Sequence, residues 1–140
     1  MRFHPEFFAK RVAAGICLTL AFCLMTVGCA PGNRPTLATV RGIVTLDGHP
    51  LANATVRFTP AGPGRTSQGS TGTDGRYQLY YLRDIIGANP GKHVVRITTA
   101  TEDNHGRELL PACYHAKSVL EATVPQGATL LDFNLRSDAS

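Results

Sequence analysis

Apolar and polar residues alternate through most of this chain. Val56 and Phe58 enclose Arg57, Val95 and Ile97 enclose Arg96, and Leu131, Phe133 and Leu135 enclose Asp132 and Asn134. A period of two sends successive side chains to opposite faces of a β-strand. The pattern predicts seven strands, over about 38–46, 53–59, 66–72, 76–82, 92–100, 119–124 and 129–136. Turn residues separate them: Asp47-Gly48, Asp74-Gly75, Asn89-Pro90-Gly91 and Pro125-Gln126-Gly127. Glycine in these turns accepts the positive φ that a tight reversal needs. Residues 60–65 read as a loop, and 101–118 as a polar, irregular stretch with room for one helical turn. Short strands at this spacing, without an amphipathic helix, predict an all-β domain built as a seven-stranded Greek-key sandwich. Its expected core is Leu51, Ala54, Val56, Phe58, Tyr77, Leu79, Val95, Ile97, Leu131 and Phe133. Tyr80, Leu82 and Val94 fall on the opposite faces, where the pattern predicts an apolar strip covered by the 101–118 stretch, because monomers rarely leave large patches open.

The N-terminus follows a different rule. Arg2, Lys10 and Arg11 precede an uncharged, mostly apolar run over 12–27, which ends in Gly28-Cys29 and the break Ala30-Pro31-Gly32. A basic start, an apolar centre and small residues at the end describe a secretory signal. The run is short for a permanent membrane span, which needs about 20 apolar residues. Residues 1–28 are therefore read as a signal peptide, 29–37 as a tether, 38–136 as the sandwich and 137–140 as a tail.

Removing that signal changes the charge and cysteine arithmetic. The whole chain has 140 residues and a formal net charge of +4. Arg2, Lys10, Arg11 and Glu6 leave with the signal, so the exported chain carries only +2. Spread evenly, that charge argues against a nucleic-acid partner. Cys17 and Cys23 leave as well, and only Cys29 and Cys113 remain. A disulfide framework is then excluded, although a Cys29–Cys113 bridge stays open if Cys29 is unmodified.

Two sets of residues resemble known families. Thr26-Val27-Gly28-Cys29 resembles the bacterial lipobox, with Thr26 where leucine is usual. The resemblance implies cleavage before Cys29 and attachment of lipid to its thiol. Ala30 in the following place implies the outer membrane, with the domain facing the periplasm or the surface. Val40–Phe58, reading VRGIVTLDGHPLANATVRF, closely resembles the opening of carboxypeptidase regulatory-like domains. Thr73–Leu79 (TDGRYQL) is similar to the second hallmark of that family, with one residue fewer in the turn. Pro90–Ile97 resembles the strand that follows in the same family, and Pro111–Leu120 is similar to a segment of short bacterial lipoproteins carrying this domain, with Cys113 and His115 standing where lysine and asparagine are usual. The implied fold is a transthyretin-like (prealbumin-like), immunoglobulin-like sandwich. Isopeptide crosslinks of pilin-like relatives need a lysine in the first strand, where this chain has Arg41.

Candidate chemistry is sparse. His105, Cys113 and His115 are the residue types that bind zinc or copper, but they lack paired ligand spacing and an evident fourth ligand. Cys113 alone reads either as a reactive thiol or as a buried inert side chain. Glu102, Asp103 and Glu108 lack the Asp-x-Asp-x-Asp spacing of a calcium loop. The reading is of a non-catalytic, lipid-anchored cell-envelope module that requires no cofactor. Its expected partners are the membrane, through Cys29, and an envelope protein or glycan. The alternatives are a metal- or thiol-dependent activity built on 101–118, or small-ligand binding between the sheets.

Overall fold

The computed structural model describes residues 35–140. The predicted signal peptide, the lipid attachment at Cys29 and tether residues 29–34 lie outside the described residues. Residues 35–140 form a compact unit of eleven strand segments and two single-turn 3-10 helices. The strands are β1 (Thr39–Leu46), β2 (His49–Pro50), β3 (Thr55–Pro60), β4 (Ser67–Ser70), β5 (Arg76–Gln78) and β6 (Tyr80–Leu82). They continue as β7 (Ile85–Ile86), β8 (Gly91–Thr98), β9 (Glu121–Val124), β10 (Ala128–Leu130) and β11 (Phe133–Leu135). The helical turns are Glu102–Asn104 and Ala112–Tyr114. Among the described residues no helix is long and apolar enough to cross a membrane.

The strands make two sheets packed as a β-sandwich. One sheet has the order β7-β6-β4-β3-β8-β9, and every pairing in it is antiparallel. The other is organised around β1. Arg41 pairs with Leu130 of β10 and with Gln78 of β5, so these neighbours occupy opposite edges of β1. Leu46 likewise pairs with Leu135 of β11 and with His49 of β2. β10 and β11 run parallel to β1, whereas β2 and β5 run antiparallel. The two-residue reversal from β1 to β2 sits at Asp47 and Gly48, with φ of 51° and 81°. Positive φ at both central residues is what a type I′ hairpin requires.

The count of eleven corrects the expected seven, and the excess has physical causes. The run predicted over 76–82 divides at Leu79, because β5 pairs with β1 in one sheet and β6 pairs with β4 in the other. The crossing run and the break at Leu131 both lie close against neighbouring backbone. A Cβ on Gly42 would lie 1.8 Å from the Leu131 carbonyl oxygen and 2.9 Å from the Tyr77 ring. A Cβ on Gly69 would lie 2.0 Å from the Gln78 carbonyl oxygen. Only glycine fits at either contact. The run predicted over 129–136 is interrupted at 131–132 with its register to β1 unchanged. There the Asp132 carboxylate replaces a backbone acceptor and takes the Ile43 N–H at 2.8 Å. Asn134 similarly accepts from the Thr45 hydroxyl at 2.8 Å. Both residues are exposed, as the alternation along this run implies, and from the surface they fasten β11 and the break before it to β1. β2 and β7 are additional two-residue strands beside tight reversals.

The core lies between the sheets. Val40 and Val44 of β1, Val56 and Phe58 of β3, and Val95 and Ile97 of β8 are fully buried, as are Ala54 and Leu79. Each large aliphatic or aromatic side chain removed from water contributes about 2 kcal/mol. Tyr77 is buried as well, and Leu51, Leu131 and Phe133 are partly buried against the same cluster. Phe133 joins the sheets, its ring edge-on to Phe58 at 6.0 Å between centroids. The Tyr77 hydroxyl donates to the Leu131 carbonyl at 2.7 Å. Burial, and then the nearby Asp132 charge, keep the Tyr77 phenol protonated far above its ordinary range. Ser67 and His93 are buried polar members of this interior, and the His93 ring lies 5.7 Å from that of Phe58.

The predicted tail is not loose. The Ser137 N–H donates to the Asp47 carboxylate at 3.0 Å, and Ala139 packs against the core. Chiefly that hydrogen bond holds the Asp47 carboxyl below its usual value.

Candidate ligand-binding groove

The outward face of the six-stranded sheet carries the strongest candidate site. Alternation along β3 buries Val56 and Phe58 and turns Thr55 and Arg57 outward. On β4 it turns Gln68 and Ser70 outward, and on β8 Arg96. Strand register then aligns these side chains. Tyr80 is paired with Gln68, Gln68 with Arg57, and Arg57 with Arg96. A row of Tyr, Gln, Arg and Arg therefore runs across four strands. It opens into a groove of about 930 Å³ bounded by β3, β4, β6 and their loops. Arg65, before β4, and Arg83, in the turn after β6, add two more guanidinium groups to its rim.

Among the described residues the arginines of this face form no ion pair, although Asp84 follows Arg83 in the turn after β6. Arg57, Arg65, Arg83 and Arg96 are all exposed. Among the described residues the ion pairs are Arg76 with Asp74 and Arg136 with Asp138, and neither involves the groove. No carboxylate lines it. The nearest acidic residue in register on the same face is Glu121 of β9, opposite Val94 and one strand beyond Arg96. Arg57 and Arg96 sit directly opposite each other on neighbouring strands, an arrangement that costs stability. One sign of charge in a concave surface concentrates its field and draws in anions. Tyr80 and Leu82, each 39% exposed, add an aromatic and an apolar surface beside the arginines.

This arrangement overturns two expectations. The 101–118 stretch leaves Tyr80 and Leu82 of the strip exposed, as are Ile85 and Ile86, while Val94 is half-buried. Nor is the positive charge evenly spread, because the fold gathers four arginines that lie far apart in sequence. The outward placement of Arg57 and Arg96 was legible from alternation. Their adjacency was not, because it depends on β3 pairing with β8 rather than on either strand alone.

The 101–118 stretch packs elsewhere. Leu110 and Tyr114 are buried in the core, and the Tyr114 hydroxyl accepts the Arg136 N–H at 3.0 Å. The Ser118 hydroxyl donates to the Val95 carbonyl. Glu108 is the organising residue. One carboxylate oxygen accepts from the Thr99 hydroxyl at 2.6 Å and from the N–H groups of Thr99, Leu109 and Leu110 at 3.0 Å. The other accepts from the Thr98 hydroxyl. Partial burial opposes the charged form, but hydrogen bonds from Thr98, Thr99 and Leu110 outweigh it and hold the carboxyl at about 2. Asn104 closes the same turn, donating to the Thr99 carbonyl at 2.6 Å and accepting from the Thr101 N–H at 2.9 Å.

The candidate metal ligands are dispersed through this clasp. His105 is exposed, after the first helical turn. Cys113 is a half-buried free thiol in the second turn. His115 is half-buried, with Nε2 3.1 Å from the Leu110 carbonyl oxygen. Among the described residues no three His, Cys, Asp or Glu side chains are grouped to hold a metal ion. Glu102 and Asp103 point to solvent, while Glu108 is engaged with the backbone and two threonines.

Comparison with family models, with curated proteins and with solved structures finds no match for this chain.

Proposed function

We propose that this chain is a non-catalytic, lipid-anchored module of the bacterial cell envelope that acts by binding. The observation that carries the binding role is the open, cationic and aromatic groove on a hydrogen-bonded sheet. A site on paired strands holds its side chains in fixed positions, so little order must be created when a ligand arrives. The anchor is argued from the apolar run over 12–27 and Cys29 directly after it. Several acyl chains on that residue would hold the module stably at a membrane, where a single chain binds only marginally. The resemblance of Val40–Phe58 and Thr73–Leu79 to carboxypeptidase regulatory-like domains supports a transthyretin-like Greek-key sandwich, a fold that by itself fixes no activity.

Intact mass and membrane fractionation of the wild type and of Cys29→Ser test this reading. The wild type is expected in the membrane fraction, starting at residue 29 and carrying acyl mass, with Cys29→Ser released as soluble protein. Soluble wild-type protein without acyl mass would refute the anchor.

A further inference from the structure

We propose that the groove on the six-stranded sheet binds an acidic polysaccharide, pairing its carboxylates with Arg57, Arg65, Arg83 and Arg96 and seating a sugar ring on Tyr80. This deepens the binding role proposed above and rests on it. Charge complementarity selects the anion. Three exposed guanidinium groups, Arg57, Arg65 and Arg83, line one concavity, Arg96 lies beside it opposite Arg57, and among the described residues none of the four forms an ion pair. Guanidinium and carboxylate match in a planar, two-bond geometry. The Arg57–Arg96 juxtaposition is unfavourable in the free protein, so an anion placed between the pair removes a repulsion as well as forming bonds.

The rest of the groove selects a sugar chain over other polyanions. Between the arginines lie Thr55, Thr66, Gln68 and Ser70, hydroxyls and an amide that both donate and accept hydrogen bonds. Sugar hydroxyls need that dual capacity, and carboxylates alone do not. Tyr80 offers a flat, partly exposed ring with a polar tip, suited to a surface that is apolar on one side and wet on the other. An acidic peptide would gain most by adding a strand to a free edge. The groove offers none, because β3, β4 and β6 are each paired on both sides. A single nucleic-acid strand presents phosphates and bases rather than carboxylates and hydroxyls, and a comparison with DNA separates the two.

The test is titration calorimetry on the full exported chain, purified in detergent, with hexagalacturonate as probe. Uncharged maltohexaose, decaglutamate and a single-stranded DNA oligomer serve as comparisons. Hexagalacturonate is expected to bind, less tightly as salt rises. Maltohexaose is expected not to bind, and decaglutamate and DNA to bind about tenfold more weakly. The double variant Arg57→Gln/Arg96→Gln should lose about tenfold or more in affinity, and Tyr80→Ser about fivefold, with thermal unfolding unchanged or slightly raised for the arginine pair. If the double variant fails to fold, Arg65→Gln and Arg83→Gln, both in loops, carry the test, each at about threefold. No binding of hexagalacturonate to folded wild type overturns the proposal. So does equal or tighter binding of decaglutamate or DNA, or full affinity in the arginine variants. Tighter decaglutamate binding would leave the binding module intact with a peptide partner, whereas soluble, unacylated wild type would remove the anchored reading instead.

Discussion

The 101–118 stretch and the outward face of the six-stranded sheet invert what their backbones suggest. The first is irregular, with two isolated helical turns, yet Glu108, Asn104 and Tyr114 tie it down by side-chain hydrogen bonds. The second is a regular ladder, yet its side chains include an unpaired row of like charge and exposed apolar groups. Regular backbone satisfies N–H and C=O groups and says nothing about what the side chains face. An irregular segment must satisfy those groups individually, so its polar residues are spent on structure. In this protein the loop is the fastened region, and the sheet face is the one left available to a ligand.

The largest expected effect tests the fastened region. Glu108→Ala removes the acceptor for two hydroxyls and three backbone N–H groups, and should destabilise the domain by about 3 kcal/mol in chemical denaturation. It should also open 101–118 to limited proteolysis. A loss no greater than that of an exposed-residue control would show that the clasp is incidental. Smaller, at about 1 kcal/mol, is the cost of Tyr77→Phe, which deletes the bond to the Leu131 carbonyl and keeps the ring.

Acid should separate the two regions next. Glu108 has a folded value of about 2 against an ordinary 4.5. Its carboxylate binds a proton less readily when folded, so its contribution to stability is complete above about 4.5 and is lost as pH falls through about 2. Glu108→Gln should flatten the stability profile in that window, while Arg57→Gln should leave its shape unchanged. A profile with the same slope in wild type and Glu108→Gln would assign the acid response to other carboxylates. The smallest effect belongs to the open face. Arg57→Gln or Arg96→Gln should change stability by no more than about 0.5 kcal/mol, toward higher melting temperature, because each relieves a like-charge pair. A substantial loss would mean that these arginines are structural.

The same contrast explains what could be read in advance. Val56 with Phe58, Val95 with Ile97 and Leu131 with Phe133 announced their strands and their buried faces through alternation alone. The division of 76–82 between two sheets was not legible, because alternation continues through Leu79 while the hydrogen-bonding partner changes. Asp132 and Asn134 alternate outward as expected, but their bonds to β1 depend on a pairing between residues far apart in the chain. Glu108 read as one more acid in a polar stretch, since nothing local shows that Thr98 and Thr99 fold back onto it. The groove needed strand order: four arginines at 57, 65, 83 and 96 become one surface only when β3, β4, β6 and β8 are neighbours.

The pairing of β1 with β10 and β11 also sets the order in which this domain is completed. The bonds from Ile43 to Asp132 and from Thr45 to Asn134 each span 89 residues. Among the described strands, synthesis delivers β1 first and its parallel partners β10 and β11 last. Until then β1 has an unfilled edge, and loop closure on that scale is slow compared with the shorter connections of the six-stranded sheet. A chain truncated before Ala128 would keep that edge permanently, as a template for pairing with a neighbouring chain. Residues 128–135 thus protect β1 from aggregation.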